Sequence, residues 1–340
     1  MIRVGLVGLG FMGQNHFRTY AEVPGAQLVA VADKVPERVA SEAASLSGNL
    51  GGDPHPLDLC HLSRYTSLDE VLADESVDCV DLCTPTHLHA EMTVRALEAG
   101  KHVICEKPMA LNVAEGERMI AAAEASDRLL FIAQCIRFWP AYEVLAEMIA
   151  AGDLGRLVSA KFTRLSSAPT WAESGWLLDT DLSGGALLDL HIHDVDFLLS
   201  VLGAPPAVLA RAGNRISSGE PVDHVITTYL YEDLVCVAEG GWGFPAGFPF
   251  YMGFQVLGEQ GCLDFGLSND PPLAFYRADG ERVIPDYPAG DGYGRELNYF
   301  MECLEKGEQP TRVTAQGALE AVGVVAAERE SVRTGQIVAL

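Results

Sequence analysis

The sequence predicts two units in its 340 residues: a doubly wound parallel α/β sheet, then an α+β unit built on a large open antiparallel sheet. Three observations predict it. Short β-branched runs alternate with amphipathic stretches as far as residue 134. A glycine-rich turn follows the first of those runs. After Gly152 the texture changes to runs that alternate apolar with polar residues, punctuated by Gly and Pro. At about 150 residues per domain the length suits two units, here 1–134 and 135–340.

Residues 3–7 read as a strand, 13–23 as a helix, and 27–32 as a second strand, with a helix starting near Pro36. Residues 48–64 hold Gly48, Gly51, Gly52, Pro54 and Pro56 and read as an inserted surface loop. His55, Cys60 and His61 within it lack an established ligand spacing, so no metal is expected there. Ser67-Leu68-Asp69-Glu70 is a capping box for a short helix. A strand at 77–83, a helix at 89–99 stopped by Gly100, a strand at 102–105, a helix at 113–126 and a strand at 129–134 complete the unit. Thr84 or Thr86 serves as the cap of the 89–99 helix. Apolar strands alternating with helices make a parallel sheet covered on both faces.

Downstream, runs at 157–165, 208–215, 225–231, 235–241 and 254–257 alternate in the manner of an antiparallel sheet with one covered face. Helical stretches fall at 193–202, 295–305 and 314–333. The last is expected to pack back on the first unit.

Acidic residues number 47 and basic ones 23, a formal charge of −24. That balance excludes nucleic acid and anionic membrane surfaces as partners, since both need a basic face. No run reaches the roughly 18 apolar residues of a membrane span. The eight cysteines sit in or near apolar runs without a CxxC pair and read as reduced thiols of a cytoplasmic protein.

Gly8-Leu9-Gly10-Phe11-Met12-Gly13 stands where the first strand turns into the first helix. Gly8 permits the tight turn, Gly10 lets backbone approach a pyrophosphate, and Gly13 lets helix pack on strand. Phe11 and Met12 complete the loop, and the helix N-terminus adds unpaired N–H groups. Asp33 ends the second strand about 20 residues after Gly13, where a carboxylate reaches ribose hydroxyls. That carboxylate repels a 2′-phosphate and favours NAD. Lys34 beside it leaves NADP as the alternative.

Three further features border the far end of such a ligand. Glu106 and Lys107 follow a strand, at the sheet edge where ligands bind. Thr84, Pro85 and His89 lie in the loop after the neighbouring strand. Asp189 and His193 are i and i+4 and share one face of a helix, so the carboxylate can orient the imidazole as a general base. His191, at i+2, diverges from His193 on a helix. Zinc would need strand geometry and further ligands, and none is expected.

Taken together, GLVGLGFMG, VDLCTPTHLH, AGKHVICEKPMA, IRFWPAY, GGALLDLHIHDVDF and the run around Glu296 and Phe300 make the chain resemble, nearly end to end, the Gfo/Idh/MocA family of dinucleotide-dependent oxidoreductases. That family includes inositol dehydrogenases and glucose–fructose oxidoreductase. The resemblance implies a Rossmann first domain and an NAD(P)-dependent dehydrogenase or reductase acting on a CH–OH group of a sugar, sugar derivative or cyclic polyol. It implies Lys107, Asp189 and His193 as the catalytic trio, with Asp189 holding His193. Glu106, Thr84 and Pro85 would border the nicotinamide. It implies a homodimer or homotetramer assembled through the second sheet. Arg137, Trp176, His191 and Phe250 are the substrate-side candidates. The chain departs from the family where His191 replaces a small residue, where Ile136 precedes Arg137, and where 242–254 is rich in Phe, Gly and Pro. These departures point away from a simple free inositol. A non-catalytic dinucleotide-binding sensor, and a lyase or hydrolase working by transient oxidation, remain as rival readings.

Overall fold

Six parallel strands form the first sheet: β1 (Ile2–Val7), β2 (Ala26–Ala32), β3 (Ser63–Tyr65), β4 (Cys79–Leu82), β5 (His102–Glu106) and β6 (Leu130–Ala133). The computed structural model describes residues 1–40, 42–46, 48, 55–217, 220 and 222–340. The strand order is 3-2-1-4-5-6. Every residue of β4 and β6 is buried, because helices cover both faces of a parallel sheet. Those helices include α1 (Phe11–Thr19), α2 (Leu68–Ala73), α3 (Thr86–Glu98) and α4 (Val113–Ser126). The order reverses between β1 and β4, and the C-terminal ends of these two strands open a crevice at that switch point.

Two expectations for this half need correction. The stretch after Pro36 is a single 3-10 turn, Pro36–Val39. The supposed loop at 48–64 supplies β3, which pairs parallel to β2 along Ala30–Ser63, Val31–Arg64 and Ala32–Tyr65. Its residues Leu57–Asp58 also pair with Glu42–Ala43. The intervening residues 49–54 lie outside the described ones. Short polar strands at a sheet edge carry little hydrophobic pattern, so glycine and proline punctuation masked them. The capping box stands as expected: Ser67 Oγ accepts from Glu70 N–H, and the Glu70 carboxylate accepts from Thr66 N–H. The cap of α3 is Pro85, with no side-chain bond, rather than Thr84 or Thr86.

The stretch between the sheets forms a helix, α5 (Pro140–Ala151), with proline in its first turn. The second sheet then has nine strands: β7 (Leu157–Ser167), β8 (Ala207–Gly213), β9 (His224–Leu230), β10 (Val235–Phe244), β11 (Tyr251–Gly258), β12 (Gly261–Gly266), β13 (Leu273–Arg277), β14 (Arg282–Val283) and β15 (Val338–Ala339). Their order is 14-13-12-11-7-10-9-8-15. All neighbours are antiparallel except β7 and β10, which run parallel, so the sheet is mixed.

One face is covered by α5, α6 (Ile192–Leu202) and the long α8 (Ala315–Thr334), the last helix after α7 (Tyr293–Lys306). Tyr142, Phe197 and Phe254 meet there edge to face, with centroids 4.8 and 5.0 Å apart. Buried Arg164 of β7 is tied to Asp194 of α6 by two bonds of 3.0 Å. Helix α8 also bears on the first sheet's layer: the ideal Cβ position of Gly116 in α4 lies 2.6 Å from Leu319. The opposite face leaves Ile226, Val235, Leu257 and Tyr276 exposed.

Candidate active site

A cleft of about 760 Å³ runs from the β1–α1 turn to the edge of the second sheet. Its phosphate-loop end is made mostly of backbone. Gly8 has φ +93°, and a Cβ there would meet Cys83 O at 2.3 Å. A Cβ on Gly13 would lie 1.8 Å from Gly8 O, so only glycine lets α1 start this close to β1. A Cβ on Gly10 meets nothing within 4 Å: its open side faces the cleft, as a pyrophosphate requires. Asp33 is buried at the cleft wall. Its Oδ2 accepts from Leu9 N–H at 2.7 Å, and its Oδ1 accepts from Val35 N–H at 2.9 Å. Lys34, Phe11 and Met12 also line the cleft. These residues fit a dinucleotide: open backbone for the diphosphate and a fixed carboxylate for the ribose.

Arg38, which sequence reasoning missed, lines the same end with its Nη1 3.5 Å from Asp33 Oδ2. Its place in the turn after β2 was the only available signal. Across the cleft, Trp171 of the second half meets the Phe11 ring edge-on at 5.1 Å. The two halves thus touch directly over the phosphate loop.

At the other end, Glu106, Lys107, Asp189 and His193 come together with Thr84 and Pro85. Lys107 Nζ donates to the Asp189 carbonyl at 2.9 Å and lies 3.3 Å from its Oδ1. The expected pairing of Asp189 with His193 does not form. The run splits into Gly185–Asp189 and α6, and Asp189 spends its carboxylate on Lys107. His193 Nδ1 has no hydrogen-bond partner among the described residues. Burial, then the positive charges of Lys107 and Arg164, hold its pKa well below the usual imidazole range. The ring is therefore neutral at neutral pH and able to accept a proton.

Three candidates fall outside the cleft. Arg137 gives Nε and Nη2 to the fully buried Asp196 at 2.7 Å each and Nη1 to Arg312 O. It is a structural clamp. His191 is buried behind the site, its Nε2 3.3 Å from Tyr229 Oη and 3.4 Å from Glu328 Oε2. Its ring leaves no room for a side chain at Gly240, where a Cβ would come within 2.7 Å of Nδ1. Two positions along a helix turn a side chain by about 200°, so His191 and His193 face opposite ways. His89 lies with Nδ1 2.7 Å from Pro108 O and Nε2 2.8 Å from Thr84 O. It ties two cleft loops together without lining the cleft. Trp176 and Phe250 do line it, as expected, and are joined by Trp242 and Leu190, which had no sequence signal beyond their apolar character.

Comparison with known proteins decides what this arrangement is. The description "Oxidoreductase family, NAD-binding Rossmann fold" of the GFO/IDH/MocA model matches residues 2–134, and the family's C-terminal domain matches 142–264. The chain belongs to the GFO/IDH/MocA family. The first domain of this family member is accordingly an NAD-binding Rossmann domain. The scyllo-inositol 2-dehydrogenase (NAD(+)) of Bacillus subtilis is 29% identical over 100% of this chain and 96% of its own length. The levoglucosan dehydrogenase of Pseudarthrobacter phenanthrenivorans is 32% identical over 86% of this chain and 82% of its own. A solved levoglucosan dehydrogenase with NADH and levoglucosan is 26% identical, with a TM-score of 0.82 and 99% of both chains covered. No helix among the described residues is long and apolar enough to cross a membrane.

Proposed function

We propose that this family member is an NAD-dependent dehydrogenase or reductase acting on a CH–OH group of a sugar, sugar derivative or cyclic polyol, with His193 as its acid/base. One observation carries the reading: Lys107, Asp189 and an unpartnered, neutral His193 converge at one end of the cleft whose other end is the Gly8–Gly13 loop and Asp33. When bound, NAD supplies a nicotinamide ring that accepts or returns a hydride.

The protein's own groups handle the proton. In the oxidative direction His193 takes the proton of the substrate hydroxyl, a contribution of about 10²–10⁴-fold. Lys107 donates to the same oxygen and offsets the charge that builds on it. Asp189 acts on Lys107 rather than on His193: it fixes the ammonium group so that its remaining protons point at the substrate. Trp176, Trp242, Leu190 and Phe250 give that end an apolar wall for the face of a ring. The buried Trp242 Nε1 and Thr84 Oγ1 lack partners among the described residues. The names of the relatives, which include inositol and anhydro-sugar dehydrogenases, support the same substrate class. Asp33 favours NAD over NADP, although Lys34 and Arg38 stand beside it. The open face of the second sheet, with Ile226, Val235, Leu257 and Tyr276, offers the surface for self-association.

The test is a panel of sugars, anhydro sugars, inositols and sugar acids assayed for NADH formation. Net NADH with at least one ring polyol supports the reading. Substrate turnover with no net NADH overturns it in favour of a lyase or hydrolase. NAD binding without turnover of any kind favours a sensor.

A further inference from the structure

Behind Glu106 lies a chain of buried ionisable groups that takes no part in the chemistry above. His16 of α1 is fully buried. Its Nδ1 lies 2.8 Å from Asp81 Oδ2, and its Nε2 lies 3.2 Å from Glu106 Oε1. The second approach is an ion-pair contact whose angle falls short of a hydrogen bond, since Nε2 has no aligned partner. Tyr20 Oη donates to Asp81 Oδ2 at 2.8 Å. Glu106 Oε2 accepts from Lys107 N–H at 2.9 Å, and its carboxylate lines the cleft beside Lys107.

Neutral imidazole carries one N–H, yet both ring nitrogens of His16 face carboxylate oxygens, so the geometry suits the charged ring. Burial alone would lower the pKa of His16, but the hydrogen-bonded Asp81 carboxylate 2.8 Å from its Nδ1 reverses this, and the pKa lies well above the usual range. The other groups packed here stay neutral: burial pushes the Cys83 thiol and the Tyr20 phenol up. Burial, then Glu106, does the same to the carboxyl of Glu296, whose oxygens have no partner among the described residues. Of Asp81, His16 and Glu106, only Glu106 lines the cleft.

We propose that His16 is a positioning residue that holds the Glu106 carboxylate at the nicotinamide end of the cleft, so that the site favours the cationic oxidised dinucleotide over the reduced one. This rests on the reading above, in which the nicotinamide lies beside Lys107. Removing the His16 ring takes away the 3.2 Å contact that fixes the Glu106 carboxylate and should therefore erase the preference.

The test measures dissociation constants of NAD+ and NADH separately, by fluorescence titration without substrate, for the parent protein, His16→Asn and Glu106→Gln. A charge at cleft depth acts through an effective dielectric well below that of water, so the NAD+ constant should weaken on the order of tenfold in either variant. The NADH constant should stay near the parent's. The double variant should be no worse than either single one. Weakening of both forms by the same factor would make His16 merely structural and overturn the proposal. Should His16→Asn fail to fold, His16→Gln removes the same ring with a longer side chain and should shift the same ratio in the same direction. Failure of the parent to bind either form would instead sink the cofactor reading itself.

Discussion

The two ends of the cleft solve the problem of holding a ligand by different means. At the phosphate-loop end, backbone provides the binding surface. Gly8 and Gly13 bring β1 and α1 together, and Asp33, the only carboxylate there among the described residues, is locked by the N–H groups of Leu9 and Val35. At the other end, side chains provide it, and they come from elements far apart: Lys107 meets Asp189 across 82 residues of sequence. A backbone site needs only the right local residues. A side-chain site needs the whole second domain to be placed first. The first kind should therefore fail through folding and packing, and the second through chemistry.

The largest expected effect breaks that comparison if it goes the wrong way. His193→Ala should lower turnover by about 10²–10⁴-fold while NAD affinity, measured by titration, stays near the parent value. A matching loss of NAD affinity would move His193 to the cofactor. Next in size is Arg137→Ala. Asp196 is fully buried and Arg137 is its bidentate partner, so stranding that charge should cost about 3–5 kcal/mol of stability in urea unfolding. The KM of the folded fraction should not change. Raised KM at unchanged stability would return Arg137 to the substrate side.

The glycines sharpen the backbone half. Gly13→Ala forces an atom to within 1.8 Å of Gly8 O and should cost about 1–3 kcal/mol through overpacking. Gly10→Ala projects into open cleft and should change stability by no more than about 0.5 kcal/mol, yet weaken NAD binding by crowding the diphosphate. Equal stability losses at the two positions would mean that Gly10 is also a packing glycine.

The same contrast explains what could be read from residues alone. GLGFMG and Asp33 are close in sequence and each answers to a stated geometric reason, so their meeting at one end of the cleft was legible from the residues. So was the alternation that builds the first sheet. Strands β12 and β13 escaped notice because their pattern is short and broken by turns. At the side-chain end, Lys107, Asp189 and His193 were found, but their wiring was not. Helical spacing puts Asp189 and His193 on one face. What it does not encode is that the helix breaks between them and that Lys107 arrives from β5 to claim the carboxylate. His191 misled for a related reason: its character as an imidazole was visible, while Tyr229 and Glu328, which hold it behind the sheet, are brought there only by β9 and α8.

The smallest effect concerns two histidines whose surroundings push them in opposite directions. Burial and the charges of Lys107 and Arg164 depress His193 well below its ordinary value, whereas the hydrogen-bonded Asp81 outweighs burial and raises His16 well above its own. For stability the contributions oppose. The depressed group favours folding above its ordinary value of about 6.5 and loses that contribution as pH falls towards its folded pKa. The raised group favours folding below its ordinary value and loses that contribution as pH rises through its folded pKa. The two windows lie on either side of about 6.5, so stability should peak near there and fall in both directions, and the two roles are told apart in rate. In the proposed mechanism oxidation needs His193 unprotonated. Its kcat/KM should therefore hold level as pH is lowered through about 6.5, where an ordinary imidazole would already be half protonated, and should bend only further into acid. In His16→Asn the acid limb from His193 should remain in place, because the two rings belong to separate clusters. An acid limb already centred at about 6.5 in the parent enzyme would show that His193 is more solvated than its place in the cleft implies, and would return the task of controlling its charge to Asp189.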